Sequence, residues 1–218
     1  DRQKEKDYRR QHCYYTQFAP SVINCIPGVN RDRLISPIIK YLYTAFHTKL
    51  RLYKTLKQLP ISLNRSFYDI STAYDKAVDL DKTRKASYKK LFNQTAKTNG
   101  FNVVLLGRPY TILSEAMNNN IPQIFEQLNI RPYFQDMIDH RNIDFSPIDL
   151  LLKEIHWKHA VQILKTAYAC AQSEDLYPVY ITSFKCGPDS FAVDYFKRIM
   201  EKTGKPYLIL ELDEHDSS

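Results

Sequence analysis

Four cysteines, at positions 13, 25, 170 and 186, are the residues of this sequence best suited to metal or redox chemistry. Cys186 has the most suggestive surroundings. The stretch Ser183-Phe184-Lys185-Cys186-Gly187-Pro188-Asp189 follows an apolar run with strand character, turns on Gly187 and Pro188, and leads into a helical pattern near Ser190. A thiol placed there stands close to a helix N-terminus, whose partial positive charge favours the thiolate that metal binding requires. A structural cysteine is the plain alternative, and the residues alone leave the two open. For Cys13, Cys25 and Cys170, burial as a small hydrophobe is the ordinary expectation. Cys170 lies on an apolar helical face; Cys25, beside Ile26-Pro27, could stand in as a ligand. No Cys-x-x-Cys pair occurs and no zinc-type spacing is present, so neither a redox pair nor a zinc finger is expected.

A second candidate is Gly107-Arg108-Pro109-Tyr110, again at the end of an apolar run. Arg108 could reach a phosphate or carboxylate there, with Gly107 and Pro109 shaping the approach. Equally, the glycine and proline could make a tight turn while Arg108 pairs with a nearby carboxylate. His156 and His159 stand three apart and could form a metal pair, but no Asp or Glu completes a metalloprotease motif, so polar neighbours on one helix face are expected. Glu211, Asp213, Glu214 and Asp216 make an acidic end that would ordinarily be solvated.

These candidates need elements to position them. Apolar residues at steps of three and four predict a helix from about Asp32 to Leu59, stopped by Pro60, and a second from about Phe67 towards Gly100. From Phe101 the pattern changes. Strands are expected at Phe101–Leu106, Arg131–Gln135, Tyr177–Thr182 and Tyr207–Leu212. Helices are expected between them at Ser114–Leu128, at Leu150–Gln172 as one long element, and through Phe191–Met200 with Gly204 closing it; Ile143–Pro147 reads as a loop. Strand–helix–strand alternation implies crossovers and a parallel sheet, with ligands gathering at the carboxyl ends of the strands. The expected fold class is therefore α/β: a layered parallel-sheet domain of Rossmann or flavodoxin-like type over 101–218, behind an N-terminal segment and helical region over 1–100.

The 218 residues have an ordinary globular composition, 44% hydrophobic and 25% charged, and only 5 glycines, which argues against a nucleotide enzyme built on glycine-rich loops. No apolar run approaches the roughly 20 residues a membrane span needs. The charged start lacks a signal peptide and an initiator Met, so the chain reads as a cytoplasmic piece of a longer protein without a disulfide framework. Residues 1–100 hold 20 Lys/Arg against 8 Asp/Glu, whereas 101–218 hold 11 against 16. The basic half would suit an acidic partner, or would simply be a solvated lysine-rich helical face.

The stretch Tyr177–Asp189, with Asp194-Tyr195 and Gly204-Lys205-Pro206-Tyr207 through Asp213, resembles the C-terminal part of 2-hydroxyacyl-CoA dehydratase subunits and, more closely, the related domain of the large CoA-enzyme activases. Phe101–Tyr110 resembles the activase "Gly-Arg-Pro-Tyr" strand end, and Asn118–Pro122 the segment after it, with Asn where Gly is usual. Cys13-Tyr14-Tyr15-Thr16-Gln17, followed by Pro20-Ser21-Val22-Ile23, resembles the segment carrying a further cluster ligand. The resemblance implies an iron–sulfur cluster, possible only in part here, with Cys13 and Cys186 as metal ligands and Gly107, Arg108, Pro109 and Gly187 lining the cofactor site. It also implies a third cysteine upstream of Asp1, an ATPase activator module or related subunit as partner, and a CoA thioester as substrate. Low-potential electrons would pass through such a cluster to the thioester or to a partner cluster. Two other readings stay open. One is a non-catalytic interaction module that keeps the fold with an incomplete site; the other, nucleic-acid binding, has only the basic half and the 16 tyrosines behind it and no recognition motif.

Overall fold

The computed structural model describes residues 11–39, 44–59, 64–96, 100–183 and 187–212. Its contacts divide the chain into two compact units, one formed by Asp1–Cys13 with Ser87–Ser218 and the other by Tyr14–Ala86. Cys186 and the acidic residues from Asp213 onward lie outside the described residues.

The larger unit is an α/β layer structure around a four-stranded sheet of β1 (Asn102–Leu106), β2 (Pro132–Phe134), β3 (Leu176–Thr182) and β4 (Leu208–Glu211). The spatial order is β2-β1-β3-β4 and every pairing is parallel. β1 is buried along its whole length, as expected of a central strand covered on both faces. Because side chains alternate along a strand, its apolar run feeds two cores. Val104 and Leu106 join Tyr180, Leu164, Ala167, Phe196 and Met200 under α8 (Lys158–Ala171) and α9 (Gly187–Thr203). Val103 and Leu105 join Val179, Ile181, Ile112 and Ile121 on the other face, under α4 (Pro109–Ile112), α5 (Glu115–Asn118) and α6 (Ile121–Gln127).

The expected α/β class therefore holds, but three expected helices differ. The element foreseen over Leu150–Gln172 is broken into α7 (Asp149–Glu154) and α8, with Ile155, His156 and Trp157 between them in extended or bridge conformation. The break exists because Gln11 pairs there as a parallel β-bridge with Trp157. The element foreseen over Ser114–Leu128 is broken by Asn119 and Asn120, both left-handed (φ 48° and 56°), a conformation asparagine tolerates better than most residues. The Asn118 side chain braces this corner, donating to the Ile112 carbonyl and accepting from the Asn120 N–H.

The smaller unit contains α1 (Tyr14–Cys25), α2 (Ala45–Lys57) and α3 (Phe67–Thr95), whose last turns, from Ser87, count with the larger unit. The helix expected from Asp32 starts only at Ala45. Arg31–Arg33 form one 3-10 turn, and Pro37, which has no N–H and disfavours the helical region at Ser36, stands within 34–39, which have no regular structure. Lys49 pairs with Asp75 at 2.6 Å, and Phe67 meets Phe46 and Tyr53 edge-on. α1 was not foreseen from the sequence; it carries no charged residue and buries none of its side chains. Among the described residues no helix is long and apolar enough to cross a membrane.

Candidate functional site

β1 and β3 are neighbours whose onward connections run to opposite sides, β1 to β2 and β3 to β4. Between such strands the loops diverge and leave a crevice at their carboxyl ends. Gly107 ends β1 at this point. A Cβ there would stand 2.5 Å from the Ile181 carbonyl oxygen and 2.7 Å from Ile112 Cγ2, so only glycine lets the chain turn this close to β3. Its N–H donates to Gln135 Oε1 at 3.3 Å. Arg108 follows in extended conformation, and Pro109 opens α4, where a missing N–H costs nothing.

The Arg108 side chain is 7% exposed and is held by internal partners. Nε and Nη2 both donate to Asp189 Oδ1, at 2.8 and 2.7 Å, and Nη1 donates to the Tyr110 hydroxyl at 2.6 Å. Asp189, 4% exposed, is the third residue of α9, so the ion pair ties the end of β1 to the start of the helix after β3. Burial pushes the Asp189 carboxyl upward while Arg108 pulls against it. Burial opposes the guanidinium charge too, but the Tyr110 hydroxyl and Asp189 more than offset it and raise Arg108.

Cys13 arrives from the far end of the chain. Gln11 donates its N–H to the His156 carbonyl at 2.7 Å and accepts from the Lys158 N–H at 3.0 Å, which seats the segment at the start of α8. Two residues on, Cys13 is 9% exposed. His12 packs against His159 with ring centroids 5.3 Å apart, and Tyr110 meets His159 edge-on at 6.3 Å. Burial, and then the positive surroundings of His12, Lys158 and Arg108, pull His159 down to about 4. Burial and Lys158 lower His12. The result is a small cleft lined by Cys13, Arg108, Trp157, His159, Pro188 and Asp189. Two buried atoms at this cleft, Asp189 Oδ2 and His159 Nδ1, have no hydrogen-bond partner among the described residues.

Of the residues singled out from the sequence, Cys13 and Arg108 thus line one cleft, Gly107 and Pro109 shape the strand end behind it, and Gly187 opens α9 just before Pro188 and Asp189. Cys25 closes α1 in the smaller unit and is exposed; Cys170 is fully buried in α8. His156 precedes α8 rather than sharing a helix face with His159, because its carbonyl serves the Gln11 bridge. Glu211, at the end of β4, is exposed. Among the described residues no group of three or more His, Cys, Asp or Glu is arranged to hold a metal ion. Sequence reasoning placed Tyr110 within the strand-end motif but missed Asp189 and Trp157 as parts of the site. The available signal for Asp189 was a carboxylate at one strand end matching an arginine at the other.

A parallel α/β sheet with a buried ion pair and a thiol at its switch point defines the class of this domain. The chain belongs to the family described as CoA enzyme activase uncharacterised domain, whose sequence model matches residues 1–138. The matched residues include Cys13 and Gly107–Tyr110 and stop before α8, β3 and Asp189. Comparison with curated proteins and with solved structures returns no match.

Proposed function

We propose that this domain supplies part of an iron–sulfur site at the switch-point cleft and serves electron transfer within a CoA-enzyme activase system. One observation carries the reading: the Gln11 bridge brings Cys13 to the cleft that Pro188 also lines, two residues beyond Cys186 in the chain. The proposal takes Cys186, more than 170 positions later in the sequence, as the partner thiol of Cys13. The donor set fits such a group in part: among the described residues Cys13 is the one thiol lining the cleft, and Cys186 is proposed as the second ligand. A bound cluster would supply one-electron transfer, with its potential set by burial, charge and hydrogen bonds to sulfur.

The protein's own groups have definable parts in this reading. Lys158, together with the N-terminus of α8, gives the cleft a positive character that favours thiolate over thiol, the Arg108 charge being matched by Asp189. His159, held neutral by burial, adds bulk without adding charge. Trp157 and Pro188 line the same cleft as Cys13. The ATPase activator module or a related subunit would deliver electrons, and a CoA thioester or a partner cluster would receive them; the dehydratase kinship of the parent protein belongs to the same proposal.

The test is anaerobic reconstitution of the full-length protein with ferrous iron and sulfide, followed by visible absorption and electron paramagnetic resonance. The expected result is a cluster signal that falls several-fold in Cys13→Ser and in Cys186→Ser and is unchanged in Cys25→Ser. A signal indifferent to both of the first two variants, or no signal in the wild type, overturns the proposal.

A further inference from the structure

Asp189 leaves half of its carboxylate unused. Oδ1 takes both Nε and Nη2 of Arg108, while Oδ2 is buried without a hydrogen-bond partner among the described residues. The residue is 4% exposed and lines the cleft beside Cys13, so this oxygen is an acceptor for whatever enters there. His159 Nδ1, buried at the same cleft, is unmet as well. A third group comes from the start of α8. The Lys158 N–H is taken by the Gln11 carbonyl and the Val161 N–H by that of Trp157, and no side chain caps the helix. The N–H groups of His159 and Ala160 have no carbonyl of their own helix to reach, and both residues line the cleft.

Charge decides what can satisfy these groups. Arg108 is matched by Asp189, and Lys158 is exposed. Both cations act on His159 as positive neighbours, and they would repel a cationic ligand in the same way. An anion has no proton for Oδ2 and would set a second negative charge against it. A neutral group with donors is left. Trp157, Ala160 and Pro188 give it apolar walls, and the cleft measures about 260 Å³ out to its open mouth, which limits the enclosed part of a ligand to a small group. A hydroxyl offers one proton to two unmet atoms; a primary amide offers two, and its carbonyl suits the positive end of a helix. Water, the competing occupant, has no carbon to meet the apolar walls.

We propose that the cleft binds the primary amide group of a small neutral ligand. Its two N–H bonds are given to Asp189 Oδ2 and to His159 Nδ1, with the imidazole proton on Nε2, and its carbonyl oxygen accepts from the N-terminus of α8. The inference does not rest on the cluster reading: the site adjoins Cys13 and uses no thiol as a ligand.

Cys13 reports occupancy. Full-length protein without added metal would be alkylated with N-ethylmaleimide, with and without acetamide as the probe, and labelling of Cys13 and Cys25 followed by mass spectrometry. Acetamide at about 0.1 M, a concentration suited to a ligand of so few atoms, is expected to slow Cys13 labelling several-fold and to leave exposed Cys25 unchanged. N,N-dimethylacetamide, which keeps the carbonyl and lacks both N–H bonds, is expected to give no protection, and neither are acetate and methylammonium. His159→Phe should keep Cys13 reactive and lose the protection. Equal protection by N,N-dimethylacetamide, or none by acetamide, overturns the proposal. Crystals soaked in acetamide supply the second measurement: an amide nitrogen within about 3.2 Å of Asp189 Oδ2 is expected, and water alone at that position overturns the site even where Cys13 reacts too slowly to follow. A wild type without a cluster signal in the reconstitution above would sink the cluster reading alone.

Discussion

Arg108 and Asp189 show what a single pair of side chains can and cannot contribute. Both are desolvated, so their attraction largely repays the cost of burying two charges instead of adding net stability. Removing one partner is a different matter. Arg108→Met leaves a buried carboxylate without its cation and is expected to lower unfolding free energy by about 3–5 kcal/mol in urea titrations. Adding Asp189→Leu to that variant should restore most of the loss, whereas a double variant no better than the single would show that the pair was not the cause. Sequence reading reached Arg108 as a residue of interest but left its partner open. The partner lies 81 positions away, and only the parallel register of β1 with β3 brings the two strand ends side by side.

The elements explain why the cleft lies where it does. Gly107 lets β1 pass within contact distance of β3, and a methyl group there would press on backbone that cannot yield. Gly107→Ala is expected to cost about 1–3 kcal/mol through overpacking, measured by urea midpoint; a loss below ~0.5 kcal/mol would contradict the contact. The Gln11–Trp157 bridge does for Cys13 what Gly107 does for Arg108. Gln11→Pro removes the N–H given to His156, and alkylation of Cys13 followed by mass spectrometry should then quicken several-fold while fully buried Cys170 stays protected. Parallel exposure of both cysteines would instead report general unfolding. The strands were legible because Val103–Leu106 and Val179–Ile181 are continuous apolar runs bounded by turn residues. The breaks in the helices were less so. Periodicity runs straight through Ile155–Trp157 because the cause of that break, Gln11, is remote in sequence. At Pro37 the signal is local, a proline set inside an apolar spacing that continues on both sides of it.

At the scale of the molecule, charge is divided by unit. Tyr14–Ala86 holds 12 Lys/Arg against 5 Asp/Glu, and the remaining residues hold 19 of each, so the formal net charge of +7 belongs to the smaller unit. The larger unit carries the acid sensitivity. Burial, followed by neighbouring lysines or other cations, brings His140 and His159 down to about 4 from 6.5. The unfolded chain therefore takes up protons on these residues from about pH 6.5 downward while the folded chain does not. Their contribution is complete above pH 6.5 and is lost as pH falls towards 4. The urea midpoint should decline across that window, and His140→Gln, which removes one of the two histidines, should flatten part of the decline; a wild-type profile level from pH 7 to 4.5 would contradict the burial assigned to both. Whether the whole molecule is built around a shared metal centre is answered most directly by thiol protection. The full-length protein, loaded anaerobically with iron and sulfide, would be alkylated and mapped by mass spectrometry against the metal-free form. The account predicts that loading protects Cys13 and Cys186 together and leaves Cys25 reactive; equal labelling of Cys13 and Cys186 with and without iron would contradict it.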